Sequence, residues 1–312
     1  MENKTIEVLA VNVSEKKGTV KNAVPEITLY ENGVKGDAHS GSWHRQVSML
    51  ARESIEKFEK QANRDIAFGE FAENITTKGM ELYHTKPFDR FVSENLELEV
   101  TQIGKKCHGD NCAIFREVGN CVMPKEGIFV RVIKGGALKA GEVFTIVPKV
   151  FKVRVITLSD RASSGEYEDR SGPRISQLTN EYFEKIKWRV DIENIVIPDD
   201  PEQLAALLED AKAKQIDVVF TTGGTGIGPK DFTPEVVKEW IDKEIPGVME
   251  LIRMKYGQEK PNALLSRGVA GVMGASLVYA MPGSVKAVNE YMTEICNTLQ
   301  HLILMLRRID SH

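Results

Sequence analysis

The chain has 312 residues, of which 42% are hydrophobic and 28% charged. That is an ordinary globular composition, at a length beyond which a single core usually stops growing, so two domains are expected. The net charge of −4 hides no basic half, since residues 1–150 carry 21 Lys and Arg against 21 Asp and Glu, and residues 151–312 carry 20 against 24; neither half has the basic excess that binding to a nucleic-acid backbone requires.

The N-terminal stretch "MENKTIEVLAVNVSEKKG" has an acid at position 2 and a short apolar run without a small-residue cleavage pattern. It makes a poor signal peptide, and a cytoplasmic location is expected. No apolar run is long enough for a membrane span, and four cysteines are too few for a disulfide framework. From Thr5 to Pro148, short alternating apolar stretches ("TIEVLAVNV", "EITLYE", "LELEVTQI", "IFVRVI", "EVFTIV") are separated by Gly and Asn turns and interrupted by one helix, "ARESIEKFEKQA". This predicts a mainly β, barrel-like domain over residues 1–150. "GGALKAGEVFTIVPK" reads as its final hairpin or strand pair, with a proline exit near Pro148. Inside this half, Cys107, Cys112 and Cys121 fall within fifteen residues, with His108 adjacent. Lys105 and Lys106 would favour a thiolate at Cys107 if they lie close to it. Buried small thiols and a zinc site are the alternatives, zinc being disfavoured by the lack of CxxC pairs.

Residues 151–312 change rhythm, and strands alternate with helices. "FKVRVITL" reads as a buried strand, "SGPRISQLTNEYFEKI" as an amphipathic helix and "VDIENIVI" as a second strand. A helix follows in "DDPEQLAALLEDAKAKQ", with Asp200 as its N-cap and Pro201 at its first position. "DVVFTT" is the third strand, and "TPEVVKEWI" begins a helix with Thr233 as cap and Pro234 after it. "SLVYAM" is the fourth strand, and a long helix closes the chain from about Ser284 to Arg308. The expected fold is an α/β domain with a mostly parallel sheet flanked by helices.

On this map "SDRASSG", "PDD", "TTGGTG" and "MPGS" each follow a strand, where ligands bind in open α/β sheets. The run Gly223, Gly224, Thr225, Gly226 can aim backbone N–H groups at an anion, with the hydroxyls of Thr221, Thr222 and Thr225 as further donors. It lacks both the Gly-Lys-Ser/Thr ending of a P-loop and the GxGxxG spacing of a dinucleotide site. With Asp200 used as a cap, Asp199 is free to face a ligand. Asp199 and Asp231 form the pair assigned to Mg²⁺, which prefers one or two carboxylates plus phosphate oxygens and water. Asp160 either orients the loop holding Ser159 or touches ligand directly. Lys230, Arg267 and Lys286 are candidate phosphate holders, Arg267 ahead of the others.

In this order "VITLSDRASSGEYEDRSGP", "IPDD", "TTGGTGIGPKDFTPE", "LSRGVAG" and "AMPGSVKAV" resemble the molybdopterin adenylyltransferase (MogA/MoaB-like) family. The resemblance implies transfer of the adenylyl group of Mg-ATP to the terminal phosphate of molybdopterin, releasing pyrophosphate, in a homotrimer. It implies metal binding and catalysis by Asp199 and Asp231, phosphate binding by the glycine loop, and a part of the pterin site at Pro282, Gly283 and Ser284. Val285 departs from the proline that the family often has there. In the first half, "GVKGDAHSGSWHRQVSML", "FAENITTKGMEL", "LEVTQIGKKCH" and "GIFVRVIKGGALKAGEVF" resemble the MOSC domain. That resemblance implies that Cys107 carries sulfur or contacts the cofactor, and it places Asp37, His39, His44 and Arg45 in the glycine–aspartate segment. Cys112 and Cys121 depart from a one-cysteine pattern. The two resemblances converge on one cofactor, so a fusion is expected that makes adenylylated molybdopterin in one half and binds or sulfurates a molybdopterin species in the other. A molybdenum-insertion protein or a molybdoenzyme would be its partner. A non-catalytic molybdopterin carrier or scaffold is the alternative, and an ATP-dependent kinase a third reading.

Overall fold

The computed structural model describes residues 4–105 and 122–309. Lys106, Cys107, His108, Cys112 and Cys121 therefore lie outside the described residues. Two compact units emerge, one drawn from Met1–Lys149 and the other from Val150–Arg307.

The first unit is a closed barrel. Its strands are β1 (Thr5–Val13), β5 (Val47–Ala51), β6 (Ile75–Lys78), β7 (Arg90–Val92), β8 (Glu97–Ile103), β9 (Ile128–Lys134) and β11 (Val143–Val147), in the order β11-β7-β8-β9-β5-β6-β1. Closure comes from β1 pairing back onto β11, Thr5 opposite Thr145, and β2 (Asn22–Val24) extends β1. Along β1 buried residues alternate with exposed or partly exposed ones up to Ala10, the period-2 pattern of a strand with one face on a core. Val8, Ile75, Val100 and Phe144, all fully buried, belong to that core. Of these barrel pairings only β5 with β6 is parallel, which demands a crossover, and α1 (Arg52–Ala62) supplies it. Both strands expected in the final stretch form, but not as a hairpin with each other. β10 (Gly136–Lys139) pairs with β3 (Glu26–Tyr30), which pairs with β4 (Gly33–Val34) in a separate small sheet. After β10 the chain turns through Gly141, at φ +91°, and enters the barrel as β11.

Part of this interior is charged. Lys21 Nζ lies 2.5 Å from Asp37 Oδ2 with both side chains almost inaccessible. Burial pushes Asp37 up, but Lys21 and the N–H groups of Ser14 and His39 outweigh it and hold the carboxyl below its usual range. Glu73 is fully buried as well. Its Oε1 accepts from Gly69 N–H at 2.6 Å and from the Thr76 hydroxyl at 3.0 Å, while Oε2 has no hydrogen-bond partner. Desolvation pushes the Glu73 carboxyl up to about 7.

The second unit is an α/β layer structure. Its sheet comprises β12 (Val150–Leu158), β13 (Arg189–Ile197), β14 (Val218–Thr222), β15 (Lys243–Glu244), β16 (Val269–Met273) and β17 (Ser276–Met281), ordered β13-β12-β14-β17-β16-β15. The four strands read from the sequence are mutually parallel. The two that were not read, β15 and β16, form an antiparallel edge. β16 is hard to see because Gly271 interrupts it, at a point where a Cβ would lie 2.6 Å from Ile241.

The helices are α2 (Asp160–Ser163), α3 (Ser171–Lys185), α4 (Pro201–Ala213), α5 (Thr233–Trp240), α6 (Pro246–Gly257) and α7 (Val285–Leu306). On one face Ile156, Val219 and Val278 pack with Leu204 and Leu208 of α4 and Val237 of α5. On the other, Phe151 meets Phe183 of α3 with ring centroids 5.6 Å apart, and α3 packs on α7. Asp200 caps α4, accepting from Glu202 and Gln203 N–H at 2.9 and 3.1 Å. Thr233 does not cap α5 as expected. It is the first helical residue, after Phe232, and its buried hydroxyl donates to Gly223 O at 2.9 Å. Among the described residues no helix is long and apolar enough to cross a membrane.

Candidate active site

Because β12, β13, β14 and β17 are parallel and in register, their carboxyl ends meet at one edge: Leu158 pairs with Ile197, Thr157 with Thr222, and Thr222 with Met281. The polar segment after each strand is delivered to that edge. Gly223 and Gly224, at φ +106° and +62°, turn the chain from β14 toward α5. A Cβ on Gly223 would lie 2.4 Å from Leu158 O, and one on Gly224 2.4 Å from Thr233 Oγ1, so the turn needs both the left-handed backbone and the missing side chains. Among the described residues the N–H groups of Gly224, Thr225 and Gly226 have no protein acceptor.

A cavity of about 310 Å³ at this edge is lined by Leu158, Ser159, Asp160, Arg161, Asp199, Gly224, Lys230 and Asp231. Asp160 and Asp199 are locked reciprocally, Asp199 N–H donating to Asp160 Oδ1 at 2.9 Å and Asp160 N–H to Asp199 Oδ2 at 3.3 Å. Lys230 pairs with the other oxygen of Asp160. That bond, helped by Asp199 N–H, holds Asp160 below the usual carboxylate range. Asp231 Oδ2 accepts from Gly228 N–H at 2.8 Å. Asp199 and Asp231 thus each have one oxygen fixed by a backbone donor and a second, Oδ1, with no protein hydrogen bond among the described residues. No group of three or more His, Cys, Asp or Glu among the described residues forms an all-protein metal cage. Two carboxylates with one free oxygen each fit Mg²⁺ of the kind completed by substrate phosphate and water.

A larger cavity, about 440 Å³, adjoins the first through the shared residues Leu158, Ser159 and Arg161. Thr222, Gly283 and Ser284 line it, together with Arg161, Tyr167, Asp169 and Arg170. Ser284 caps α7, its Oγ accepting from Ala287 N–H at 3.2 Å, and Ser159 caps α2 in the same way through Ala162 N–H. Asp169 is saturated, with Oδ2 accepting from the Thr157 hydroxyl at 2.7 Å and Oδ1 from Ser171 N–H, Ser171 Oγ–H and Gly172 N–H. The guanidinium carbons of Arg161 and Arg170 lie 5.6 and 5.8 Å from the Tyr167 ring centroid. Arg161, Tyr167, Asp169 and Arg170 all fall inside one quoted motif, yet sequence reasoning did not single them out. The signal was two arginines flanking a tyrosine in a loop between a strand and a helix.

Several expected contributors are placed elsewhere. Thr221 is fully buried with its hydroxyl unpartnered, on the strand face opposite Thr222, and it lines neither cavity. Gly223 N–H is consumed by Met281 O at 3.0 Å, and the Thr222 hydroxyl by Pro282 O at 2.9 Å. Arg267 does not face the edge cavities. Its Nε donates to Gly226 O at 2.6 Å and its other nitrogens reach Asp231 O and Glu235, so it braces the glycine loop from behind. Lys286 lines neither cavity.

In the first unit His39 is part-buried against Trp43, centroids 4.9 Å apart. Burial, followed by the charge of Lys21, pushes it down to about 4, leaving it neutral at pH 7. His44 meets Gln102 at 3.1 Å, and Arg45 lies 4.6 Å from the Trp43 ring centroid.

Comparison with known proteins assigns residues 154–301 to a family described as "Probable molybdopterin binding domain" and residues 36–145 to the MOSC domain. The chain is 34% identical over 153 residues to a molybdopterin adenylyltransferase of Helicobacter pylori (strain J99), covering 48% of this chain and 85% of that protein. It is 36% identical over 161 residues to a molybdopterin adenylyltransferase of Pyrococcus furiosus, covering 50% and 91%. Among solved structures it is similar to the tungsten cofactor synthesizing protein MoaB from Pyrococcus furiosus, with 36% identity, a TM-score of 0.45, and coverage of 52% of this chain and 99% of that one.

Proposed function

We propose, for a chain that belongs to the molybdopterin adenylyltransferase family through its second unit and carries a MOSC domain in its first, that the strand-end cleft transfers the adenylyl group of ATP to the terminal phosphate of molybdopterin. The observation that carries this reading is the pairing of two compartments. One holds Asp160, Asp199 and Asp231 beside the glycine loop, and the other holds Gly283, Ser284 and the arginines. Nucleophile and electrophile are both phosphates here, so no strong general base is required and positioning with charge neutralisation carries the reaction.

Asp199 and Asp231 would hold Mg²⁺ through their free oxygens, and the ion would offset the phosphate charge that these carboxylates otherwise repel. The Asp160–Asp199 lock fixes one carboxylate, and the Gly228 N–H fixes the other. The unpaired N–H groups from Gly224 to Gly226 supply neutral donors to phosphate oxygens. Arg267 keeps those donors in place by holding Gly226 O. A trimer in the cytoplasm is the expected working form. In the first unit, the MOSC resemblance supports a cofactor- or sulfur-handling role for Cys107.

The test is to incubate the protein with molybdopterin and Mg-ATP and follow pyrophosphate and adenylylated pterin together. Equal amounts of both, lost in Asp231→Asn, support the proposal. Tight pterin binding without either product makes the protein a carrier, and ADP as product makes it a kinase. For the first unit, Cys107→Ala that leaves both pterin affinity and persulfide labelling unchanged would remove the sulfur role.

A further inference from the structure

The two compartments of the cleft have opposite electrical character. In the smaller, three carboxylates outnumber two cations, Lys230 and Arg161, and Arg161 sits on the boundary shared with the larger. In the larger, the only carboxylate among the described residues is Asp169, whose oxygens are already occupied by four donors, so the charge it leaves to a ligand is that of Arg161 and Arg170. Neither arginine is neutralised by another described residue. Arg161 makes no side-chain ion pair or hydrogen bond among the described residues, and Arg170 reaches only Glu168, at 3.9 Å with both side chains largely in solvent, a contact of negligible strength. Two guanidiniums gathered around one ring repel each other unless that ring favours positive charge. The Tyr167 ring, within 6 Å of both guanidinium carbons, does so through its quadrupole. Its backbone is fixed as well, Tyr167 N–H donating to Arg161 O at 3.1 Å.

Molybdopterin carries two anionic groups, a terminal phosphate monoester and an enedithiolate on the pyran ring beside it. If the phosphate lies against the carboxylate compartment, where a divalent cation offsets its charge, the enedithiolate reaches toward the neighbouring compartment. We infer that Arg161 and Arg170, gathered by Tyr167, recognise the enedithiolate of molybdopterin and so select the sulfurated pterin over its sulfur-free counterpart. This rests on the molybdopterin reading of the cleft. Arg161 and Arg170 are the specificity residues, since they touch the ligand, and Tyr167 is a positioning residue that acts through them. The Tyr167 hydroxyl has no part in it, because only the ring is used.

The experiment measures equilibrium binding, under anaerobic conditions and without ATP, of molybdopterin and of the same pyranopterin phosphate lacking both sulfurs. The full-length wild type is compared with Arg161→Gln, Arg170→Gln, Tyr167→Ala and Tyr167→Phe. Each arginine variant is expected to weaken molybdopterin about tenfold, the loss of one charge-assisted contact. Affinity for the sulfur-free pterin should stay unchanged in both, and KM for Mg-ATP should stay unchanged in Arg170→Gln, whose side chain lines the larger compartment alone. Tyr167→Ala should follow the arginine variants, and Tyr167→Phe should match the wild type. All three side chains are exposed, so the fold tolerates the changes, and unaltered melting verifies it. Equal loss for both pterins overturns the inference, because the arginines would then read something common to both. A raised KM for Mg-ATP with unchanged pterin binding also overturns it, since the compartment would hold the triphosphate. A wild type that binds neither pterin overturns the functional reading beneath it.

Discussion

Replacing Glu73 by glutamine should stabilise the barrel at pH 8 and leave it almost unchanged at pH 4. Glu73 is completely buried, with Oε1 satisfied and Oε2 unpartnered. Burial raises its carboxyl from 4.5 to about 7. The folded barrel therefore binds a proton more tightly than the unfolded chain. The stability this contributes is complete below the unfolded value, falls as pH rises between the two values, and is lost above the folded one. A shift of this size corresponds to about 3 kcal/mol. Glutamine keeps the acceptor for Gly69 and Thr76 and never ionises. It also places a donor where Oε2 stands, close to Asn12, which donates to the Glu73 carbonyl and whose own Oδ1 is unpartnered. The titratable neighbours are Lys21 and, through it, Asp37 and His39. They remain in both proteins, so their titration largely cancels in the comparison. Urea unfolding at pH 4 and pH 8, read by hydrogen exchange in peptides from β1 and β6, isolates the barrel from the second unit. A difference between the two proteins that is the same at both pH values would refute the argument.

Adjacent aspartates should separate cleanly. Asp200→Ala is expected to cost about 1 kcal/mol of stability through loss of the α4 cap, whereas Asp199→Ala should leave the melting temperature nearly unchanged and remove adenylylation; thermal melts and product analysis on both variants check this. Gly224→Ala should abolish transfer and destabilise the second unit, because its Cβ would collide with Thr233 Oγ1, and wild-type turnover in that variant would disprove the steric argument. Asp37→Ala should lower barrel stability by about 3–5 kcal/mol, since it strands Lys21 as an uncompensated buried charge. Asp37→Ala combined with Lys21→Met should recover much of the loss in the same denaturation assay.

What the sequence made legible follows from chain-local physics. Four apolar strands, each followed by a polar or glycine-rich cluster, located the cleft because parallel strands bring their carboxyl ends to one edge. The Asp200–Pro201 cap was legible for the same reason, being decided within four residues. Thr221 and Thr222 show the limit. Alternation sends consecutive strand residues to opposite faces, so only one of the two hydroxyls could ever have faced the cleft, but the period alone does not say which. Arg267 could not be placed at all from the chain, since its partners, Gly226 O and Asp231 O, lie 41 and 36 residues away. β10 was misjoined to β11 because adjacency in sequence suggested a hairpin, whereas Gly141 and the demands of barrel closure sent the two strands into different sheets.

The barrel is sealed by its first and last strands, Thr5–Glu7 against Val143–Thr145, and this fixes an order of events during synthesis. Until Val143 has left the ribosome, the Thr5–Glu7 end of β1 has no partner on that side and presents an open strand edge, a template for pairing with another chain. Pairing over such a sequence separation is slow to find. The second unit begins only a few residues later, so its rapidly formed local helices emerge while the barrel is still closing. A nascent chain stalled before Val143–Val147 has emerged from the ribosome should consequently aggregate, and one stalled after that strand has emerged should not.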